Sequence, residues 1–133
     1  EKCPKSQFLF LTKNGKRLVE FNRWPENAFV GVSAWDGESL SWALRQLQVV
    51  EGGHTWLSVE PLLGPVNNSW DLASFYPEWV VIGGLAKGKQ NEHLLEWVNG
   101  LEWRCHNAGI PYWLKNNLIR VLGRPLHQEL PRC

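Results

Sequence analysis

The chain has 133 residues, enough for a domain with a hydrophobic core but about half the ~250 residues of a closed eight-stranded α/β barrel. Fourteen basic and thirteen acidic residues give a net charge of +1, so the composition carries no electrostatic signature of nucleic-acid binding. No apolar run approaches the ~20 residues that span a bilayer, and the first residues hold no signal-peptide core, so we expect a cytoplasmic protein without a membrane partner.

Five short apolar runs, rich in β-branched and aromatic residues, are predicted to be strands. In chain order they are Phe8–Thr12, Phe29–Ser33, Trp56–Glu60, Trp79–Gly83 and Tyr112–Lys115. These runs are apolar without strict alternation, which is typical of parallel strands that are buried on both faces.

The segments between the strands are helical or too long for hairpin turns. The predicted helices are Asn14–Phe21, Ser39–Val50 and Asn91–Asn107. The last has Asn91 as its expected N-cap, and Gly109 followed by Pro111 is expected to end it. Gly64–Phe75 is predicted to be mostly loop, with one helical turn near Trp70–Ser74.

Strands that alternate with helices indicate right-handed βαβ units and a parallel sheet. We therefore predict an α/β fold, a partial (β/α) barrel of about five parallel strand–helix units that is similar to a fragment of a TIM barrel. An open doubly wound sheet is the alternative. Residues 1–133 are predicted to form one domain, the C-terminal part of such a barrel, and the absence of methionine suggests that Glu1 follows upstream sequence.

Polar residues or glycines stand at the end of every predicted strand. They are Thr12 and Lys13, Ser33, Ser58 and Glu60, Gly83 and Gly84, and Lys115 and Asn116. Ligands of parallel α/β folds bind at the carboxyl ends of the strands, so we expect these residues to gather at one binding edge. Taken singly, each of them could equally cap a helix or occupy a solvated turn.

Glu60 is the sharpest candidate, because it directly follows a strand and precedes Pro61. Its carboxylate could accept a hydrogen bond from a ribose hydroxyl or an ammonium group, or could accept a proton. Lys13 and Lys115 could bind a carboxylate or phosphate, or could form a purely structural ion pair with Glu60. The residue types alone leave these roles open.

The segment from Gly83 to Gln90 nearly matches the phosphate-binding pattern G-x-x-x-x-G-K-[ST]. Gln90 has no hydroxyl group for a magnesium ion, which makes a nucleotide triphosphatase the less favoured interpretation. A glycine-rich loop that lets the backbone approach a cofactor is preferred, and an ordinary left-handed turn is the third possibility.

No metal site or catalytic constellation is predicted. Cys3, Cys105 and Cys133 have no CxxC spacing, which favours free thiols over a disulfide framework or a metal site. The four histidines lack metal-ligand spacing, and the sequence shows no nucleophile elbow, triad or paired carboxylates. No catalytic residue is therefore assigned.

A set of motifs in order along nearly the whole chain carries a family resemblance. The motifs are Phe8–Asn14, Trp24–Asn27, Val30–Ser33, Leu57–Pro65, Trp79–Gly84, Gly109–Leu118 and Leu130–Arg132. Together they resemble a phage-associated protein family of unassigned function (Gp37/Gp68-like) within the radical S-adenosylmethionine superfamily. The run that ends in Glu60-Pro61-Leu62-Leu63 is the most specific part of the likeness.

The resemblance implies a partial (β/α) barrel whose upstream part holds a CxxxCxxC loop. In the superfamily that loop binds a [4Fe–4S] cluster, which cleaves S-adenosylmethionine to a radical that activates the substrate. The loop is absent from this sequence, and its three distant cysteines offer no replacement. Family members often have Gly-Gly-Glu where this chain has Gly83-Gly84-Leu85, which weakens the case for a carboxylate there.

The resemblance and the strand ends together give the site assignment. Residues expected to face the cofactor are Ser33, Glu60, Gly83 and Gly84, and residues expected to face the substrate are Thr12, Lys13, Lys115 and Asn116. The cofactors implied by the family are S-adenosylmethionine and a [4Fe–4S] cluster whose ligands lie outside this sequence. The substrate is a small molecule or unknown.

Three functional hypotheses follow. The first is the C-terminal portion of a radical S-adenosylmethionine-type enzyme, not catalytically complete alone. The second is a non-enzymatic, degenerate barrel that acts as a binding or assembly module. Its open sheet edge would invite self-association or pairing with an upstream barrel half. The third is a phosphate- or nucleotide-binding α/β domain.

Overall fold

A computed structural model describes residues 5–21, 23–66, 75 and 77–131. Its strands are β1 (Phe8–Thr12), β2 (Ala28–Ala34), β3 (His54–Val59), β4 (Trp79–Ile82) and β5 (Tyr112–Leu114). All four neighbouring pairs are parallel and the strands lie in the sheet in chain order. The predicted α/β class and parallel order are confirmed, and the described strands form an open sheet. The helical turn expected near Trp70–Ser74 lies outside the described residues.

Helices follow β1, β2, β4 and β5 in the chain. They are α1 (Gly37–Leu47), α2 (Leu94–Ala108), the short α3 (Ile119–Leu122) and two 3-10 helices, Gly15–Glu20 and Asn116–Leu118. At the start of α1, the Asp36 carboxylate accepts from the backbone N–H of Ser39, and the Ser39 hydroxyl accepts from that of Asp36. This reciprocal capping satisfies donors that a helix start leaves free.

Several helix predictions are corrected. The helix expected over Asn14–Phe21 is a 3-10 helix over Gly15–Glu20. The second long helix begins at Leu94, so the predicted N-cap at Asn91 is wrong. The Asn91 side chain instead accepts from the N–H of His93, in a turn before the helix. Gly109 has φ +67°, so the predicted left-handed ending is confirmed.

The two faces of the sheet differ. The side packed against α1 and α2, the helix face, carries Val30, Val32, Leu57, Val59, Val80 and Ile82, all buried in the main core. Because successive side chains of a strand alternate, the intervening residues occupy the opposite side. That side, the aromatic face, carries Phe29, Trp56, Trp79 and Val81, with Trp113 packed against them. Neither α1 nor α2 covers it.

The edge of the sheet at β5 is covered by the chain itself. The N–H of Leu114 donates to the carbonyl of His127, and the N–H of Glu129 donates to the carbonyl of Tyr112. This antiparallel segment also bonds the aromatic face, since the indole Nε1–H of Trp79 donates to the Glu129 carbonyl at 2.8 Å. Within the described part of the chain, no helix is long and apolar enough to cross a bilayer.

Candidate functional site

Three residues at the carboxyl ends of β3, β4 and β5 are fixed by backbone hydrogen bonds that continue the ladder past the strand ends. The N–H of Glu60 donates to Ala34, that of Gly83 to Val59, and that of Lys115 to Ile82, at 2.9–3.1 Å. Glu60, Gly83 and Lys115, called the rim below, therefore lie side by side, which is the convergence that parallel order predicts.

The Glu60 and Lys115 side chains form an ion pair across the rim. Nζ of Lys115 lies 2.5 Å from Oε1 of Glu60, and the side chains keep 43% and 27% of their exposure respectively. Gly83 stands between them, because a β-carbon at that position would be 3.1 Å from Cγ and 3.2 Å from Oε1 of Glu60. Because Gly83 has no side chain, the Glu60 side chain has room to cross the end of β4 and reach Lys115 at the end of β5.

A cavity of about 410 Å³ lies directly below the ion pair on the aromatic face. Its wall includes Trp56, Trp79 and Trp113, and Glu60 and Lys115 form its charged end. Exposed Leu130, from the segment that covers β5, also lines it. An apolar cavity with a few convergent polar groups is the usual form of a small-molecule site.

Trp56 ties three strands together at the floor of this cavity. Its indole lies across β2 at Gly31, where an added β-carbon would come within 2.4 Å of Cε2 and Nε1. The Nε1–H donates to the carbonyl of Phe10 on β1 at 3.0 Å. The ring therefore links the floor of the site to the edge strand.

Among the residues predicted to face cofactor or substrate, some lie apart from the rim. Ser33 is buried on the aromatic face. It lies on β2, in register with Ser58 of β3, and is therefore one strand away from Glu60. The Thr12 hydroxyl accepts from the N–H of Asn14, which is a local turn bond. Lys13 lines a different groove, beside Trp35 and the start of α1.

The remaining predicted residues are held by amide side chains. The Asn116 side chain accepts from Nε2 of Gln128 at 3.1 Å. The N–H of Gly84 donates to Oδ1 of Asn117, whose Nδ2 donates back to the Gly84 carbonyl. Neither Asn117 nor its role was predicted.

The glycine-rich loop after β4 is closed by its own residues. Oε1 of Gln90 accepts from the N–H of Leu85 at 2.9 Å, and its Nε2 donates to the Leu85 carbonyl at 2.7 Å. With the Gly84 N–H bonded to Asn117, two backbone donors that a phosphate would need already have partners. This arrangement gives the phosphate-loop interpretation no support.

The described residues do not fit an iron–sulfur cluster. Cys105 is fully buried on the core side of α2, where burial and the nearby charge of Glu102 raise the pKa of its thiol to about 12. A single thiol enclosed in the hydrophobic core offers iron neither access nor the several cysteine ligands that a cluster needs. Cys3 and Cys133 lie outside the described residues, and the described ones contain no group of three metal-binding side chains.

The family is settled by comparison with known proteins. A family described as "Protein of unknown function (DUF5131)" matches residues 1–118. The chain belongs to the DUF5131 family. No curated protein and no solved structure matched it. The family assignment names no activity, so the resemblance to radical S-adenosylmethionine proteins stays a prediction.

Sequence reasoning found the charges of the site and missed its floor. No role at the site was predicted for Trp56, Trp79 or Trp113, although alternation places Trp56 on the same side of β3 as Glu60. Counting back in twos from each polar strand end would have identified all three tryptophans. Leu130 belongs to a motif of the resemblance but was not predicted at the site, because its position depends on the segment that folds back onto β5.

Proposed function

We propose that this chain is the ligand-binding part of a partial (β/α) barrel enzyme of the radical S-adenosylmethionine type. In this proposal Glu60 binds the ammonium group and Lys115 the carboxylate of the amino-acid moiety of S-adenosylmethionine. The rest of that molecule lies in the cavity on the aromatic face. The chain binds and orients the ligand, and the residues for the cluster are supplied from outside its described part.

The observation that carries the proposal is the Glu60–Lys115 pair at the mouth of an apolar cavity. The two charges lie 2.5 Å apart and are partly exposed. An ion pair of this kind contributes only about 0–1 kcal/mol, so a ligand can separate it at little cost. A zwitterion then returns an opposite charge to each residue, which leaves neither Glu60 nor Lys115 unpaired.

The tryptophans give the cavity a preference for planar and cationic groups. The rings of Trp56 and Trp79 lie 5.4 Å apart with an interplanar angle of 36°. Such faces stack on nucleobases and attract cations through the ring quadrupole. The adenine and the sulfonium of S-adenosylmethionine meet both preferences, whereas a free amino acid would use the charged rim alone.

Calorimetric titration of the full chain tests this proposal. S-adenosylmethionine is expected to bind, and Glu60→Gln and Lys115→Gln should each weaken binding about tenfold or more, because a hydrogen bond to a charged group contributes ~1.5–3 kcal/mol. S-adenosylhomocysteine, which lacks the positive sulfur, should bind more weakly than S-adenosylmethionine.

Matched controls are available at the amino ends of the strands. Glu26 and Lys5 are exposed and precede β2 and β1, so Glu26→Gln and Lys5→Gln repeat both charge changes away from the rim. Both controls should bind like the unchanged chain. Equal losses in the rim and control variants, or no binding of S-adenosylmethionine at all, would overturn the proposal.

A second candidate is a binding module without catalysis. It is favoured by the burial of Cys105, since the described part of the chain then offers no thiolate for a cluster. Anaerobic reconstitution with iron and sulfide of this chain joined to its genomic upstream sequence separates the two candidates. Ligand binding without incorporated iron favours the module, and iron bound together with S-adenosylmethionine favours the enzyme.

A further inference from the structure

Backbone pairing between β4 and β5 ends at Lys115 in the part of the chain that the structure describes. The N–H of Lys115 donates to the carbonyl of Ile82 at 2.9 Å. Directly after it the chain enters the 3-10 helix Asn116–Leu118, in which the N–H of Leu118 donates back to the Lys115 carbonyl. A 3-10 turn bonds within itself, so its backbone cannot continue a strand ladder. Lys115 of the rim therefore stands where the backbone support from β4 stops.

The side chain of Asn117 takes over where the backbone ladder stops. Its Oδ1 accepts from the N–H of Gly84 at 3.2 Å, and its Nδ2 donates to the Gly84 carbonyl at 2.8 Å. Two residues of an antiparallel pair exchange the same two bonds through their backbones. The amide of Asn117 thus acts as one more rung between the segments that follow β4 and β5.

Gly84 is itself closely held on other sides. A β-carbon at this position would lie 2.6 Å from Oε1 of Gln90 and 3.1 Å from Cδ2 of Leu94. The preceding residue, Gly83 of the rim, accepts at its carbonyl from the N–H of Leu62 at 2.8 Å. The two bonds from Asn117 therefore end at a point that has little freedom to move.

The turn that carries Lys115 is also anchored on its outer side. Nε2 of Gln128 donates to the Leu114 carbonyl at 2.9 Å and to Oδ1 of Asn116 at 3.1 Å. Gln128 ties the turn to the segment that covers β5, whereas Asn117 ties it toward β4 and the rest of the rim. The backbone of Lys115 is therefore held from both sides by amide side chains.

We propose that Asn117 is a positioning residue for the rim. By bonding to both polar groups of Gly84, it sets the separation between the ends of β4 and β5, and with it the position of Lys115 relative to Glu60. The ligand in this inference is that of the proposed function, on which it rests. When a zwitterion separates the ion pair, the bonds of Asn117 keep Lys115 in place, so binding does not have to order it.

Binding of S-adenosylmethionine to the full chain gives the first test. Asn117→Ala should weaken binding about tenfold in calorimetric titration, because Lys115 must then be ordered as the ligand binds. In the Lys115→Gln background the same substitution should leave the affinity nearly unchanged, since Asn117 acts through Lys115. An equal loss in both backgrounds would overturn the proposal.

Gln90 provides a matched control. Its amide makes two backbone bonds of the same kind, both to Leu85 and both inside the loop after β4. Gln90→Ala should lower the midpoint of urea denaturation about as much as Asn117→Ala does, yet leave ligand affinity unchanged. A loss of affinity that matches that of Asn117→Ala would show that general loosening of the loop is the cause, and the positioning role would be wrong.

The reactivity of the Lys115 amine tests the same role without a ligand. Its rate of acylation, measured by peptide mapping against that of Lys5 in the same sample, should rise about three- to fivefold in Asn117→Ala, because an exposed ion pair protects an amine by no more than about that factor. The rate should not change in Gln90→Ala.

This second measurement separates the two proposals. A faster rate in Asn117→Ala without any binding of S-adenosylmethionine would support the positioning role and reject the proposed ligand. An unchanged rate would overturn the positioning role, whatever the chain binds. If Asn117→Ala fails to fold, Asn117→Ser serves in both tests, because a serine hydroxyl is too short to bond to both groups of Gly84.

Discussion

The side chain of Glu60 lies tightly against the position in which any residue other than glycine at position 83 would place its β-carbon, 3.1 Å from Cγ of Glu60. Gly83→Ala should therefore displace Glu60 from Lys115 with a small loss of stability, about 1 kcal/mol or less, since a partly exposed carboxylate can move. Binding at the rim should fall more than stability does. Calorimetric titration and urea denaturation of the same variant measure the two effects.

Gly100 provides the control for that substitution. It lies within α2, and a β-carbon there would meet nothing within 4 Å. Gly100→Ala should raise the free energy of unfolding by ~0.5–1 kcal/mol, because alanine loses less backbone entropy in a helix. Unchanged ligand binding in Gly83→Ala would show that Glu60 does not need its present position.

Gly31→Ala should be far more damaging. The added β-carbon would lie 2.4 Å from the indole of Trp56. That ring crosses β2 from its own strand, β3, and is hydrogen-bonded to Phe10 on β1, so it has little freedom to move away. Overpacking of a core typically costs about 1–3 kcal/mol, and loss of the bond to Phe10 adds to it. Urea denaturation measures the change in free energy of unfolding.

A double-mutant cycle isolates the contact between the two residues. Trp56→Leu removes the ring, so Gly31→Ala should cost much less in that background than in the unchanged chain. If Gly31→Ala costs the same in both backgrounds, the destabilisation does not come from contact with the Trp56 indole.

Glu102 should make the chain sensitive to the loss of Arg124. The residue is 9% exposed, and its carboxylate accepts from Nη2 of Arg124 and from the hydroxyl of Tyr112 at 3.2 Å. Arg124→Gln leaves that charge with weaker compensation, and about 1–3 kcal/mol of stability should be lost. Adding Glu102→Gln should recover part of it, so a double variant less stable than Arg124→Gln alone contradicts this account.

Stability should fall in alkaline solution for a defined reason. Burial and the charge of Glu102 raise the pKa of Tyr112 from 10 to about 12, and burial first, then Glu102, raises that of Cys105 from 9 to about 12. The folded state then holds protons that the unfolded chain releases, so stability is retained below pH 9 and declines between pH 9 and 12.

Variants distinguish the contribution of Tyr112 and Cys105 from that of the other ionisable groups of the chain. Tyr112→Phe and Cys105→Ala should each reduce the slope of stability against pH in that window, even where the substitution lowers stability at pH 8. Denaturation midpoints at pH 8, 10 and 11 give the slopes. Equal slopes in the unchanged chain, Tyr112→Phe and Cys105→Ala would show that these two groups do not cause the loss of stability.

The strands could be placed from the sequence because each is a short apolar run between turn residues. The predicted ends at Glu60, Gly83 and Lys115 lie one residue beyond the strands, yet their N–H groups do continue the ladder. The start of β3 was predicted two residues late, because His54 and Thr55 are polar. Both bond to the carboxylate of Glu78, a contact that no local pattern reveals.

The site was predictable to the extent that parallel order made it so. That order brings Glu60, Gly83 and Lys115 together, because their strands are β3, β4 and β5. Lys13 was expected with them, but it lies in another groove. The hydrogen bond between Asn117 and Gly84 could not be predicted either, since it joins residues 33 positions apart through a side chain.

The order of the strands in the sheet is the order in which the polypeptide is made. Every strand after β1 pairs with the strand that directly precedes it in the chain. Synthesis proceeds from the amino terminus, so each strand leaves the ribosome with its partner already present. Each new strand can therefore pair as it emerges, without waiting for a later strand.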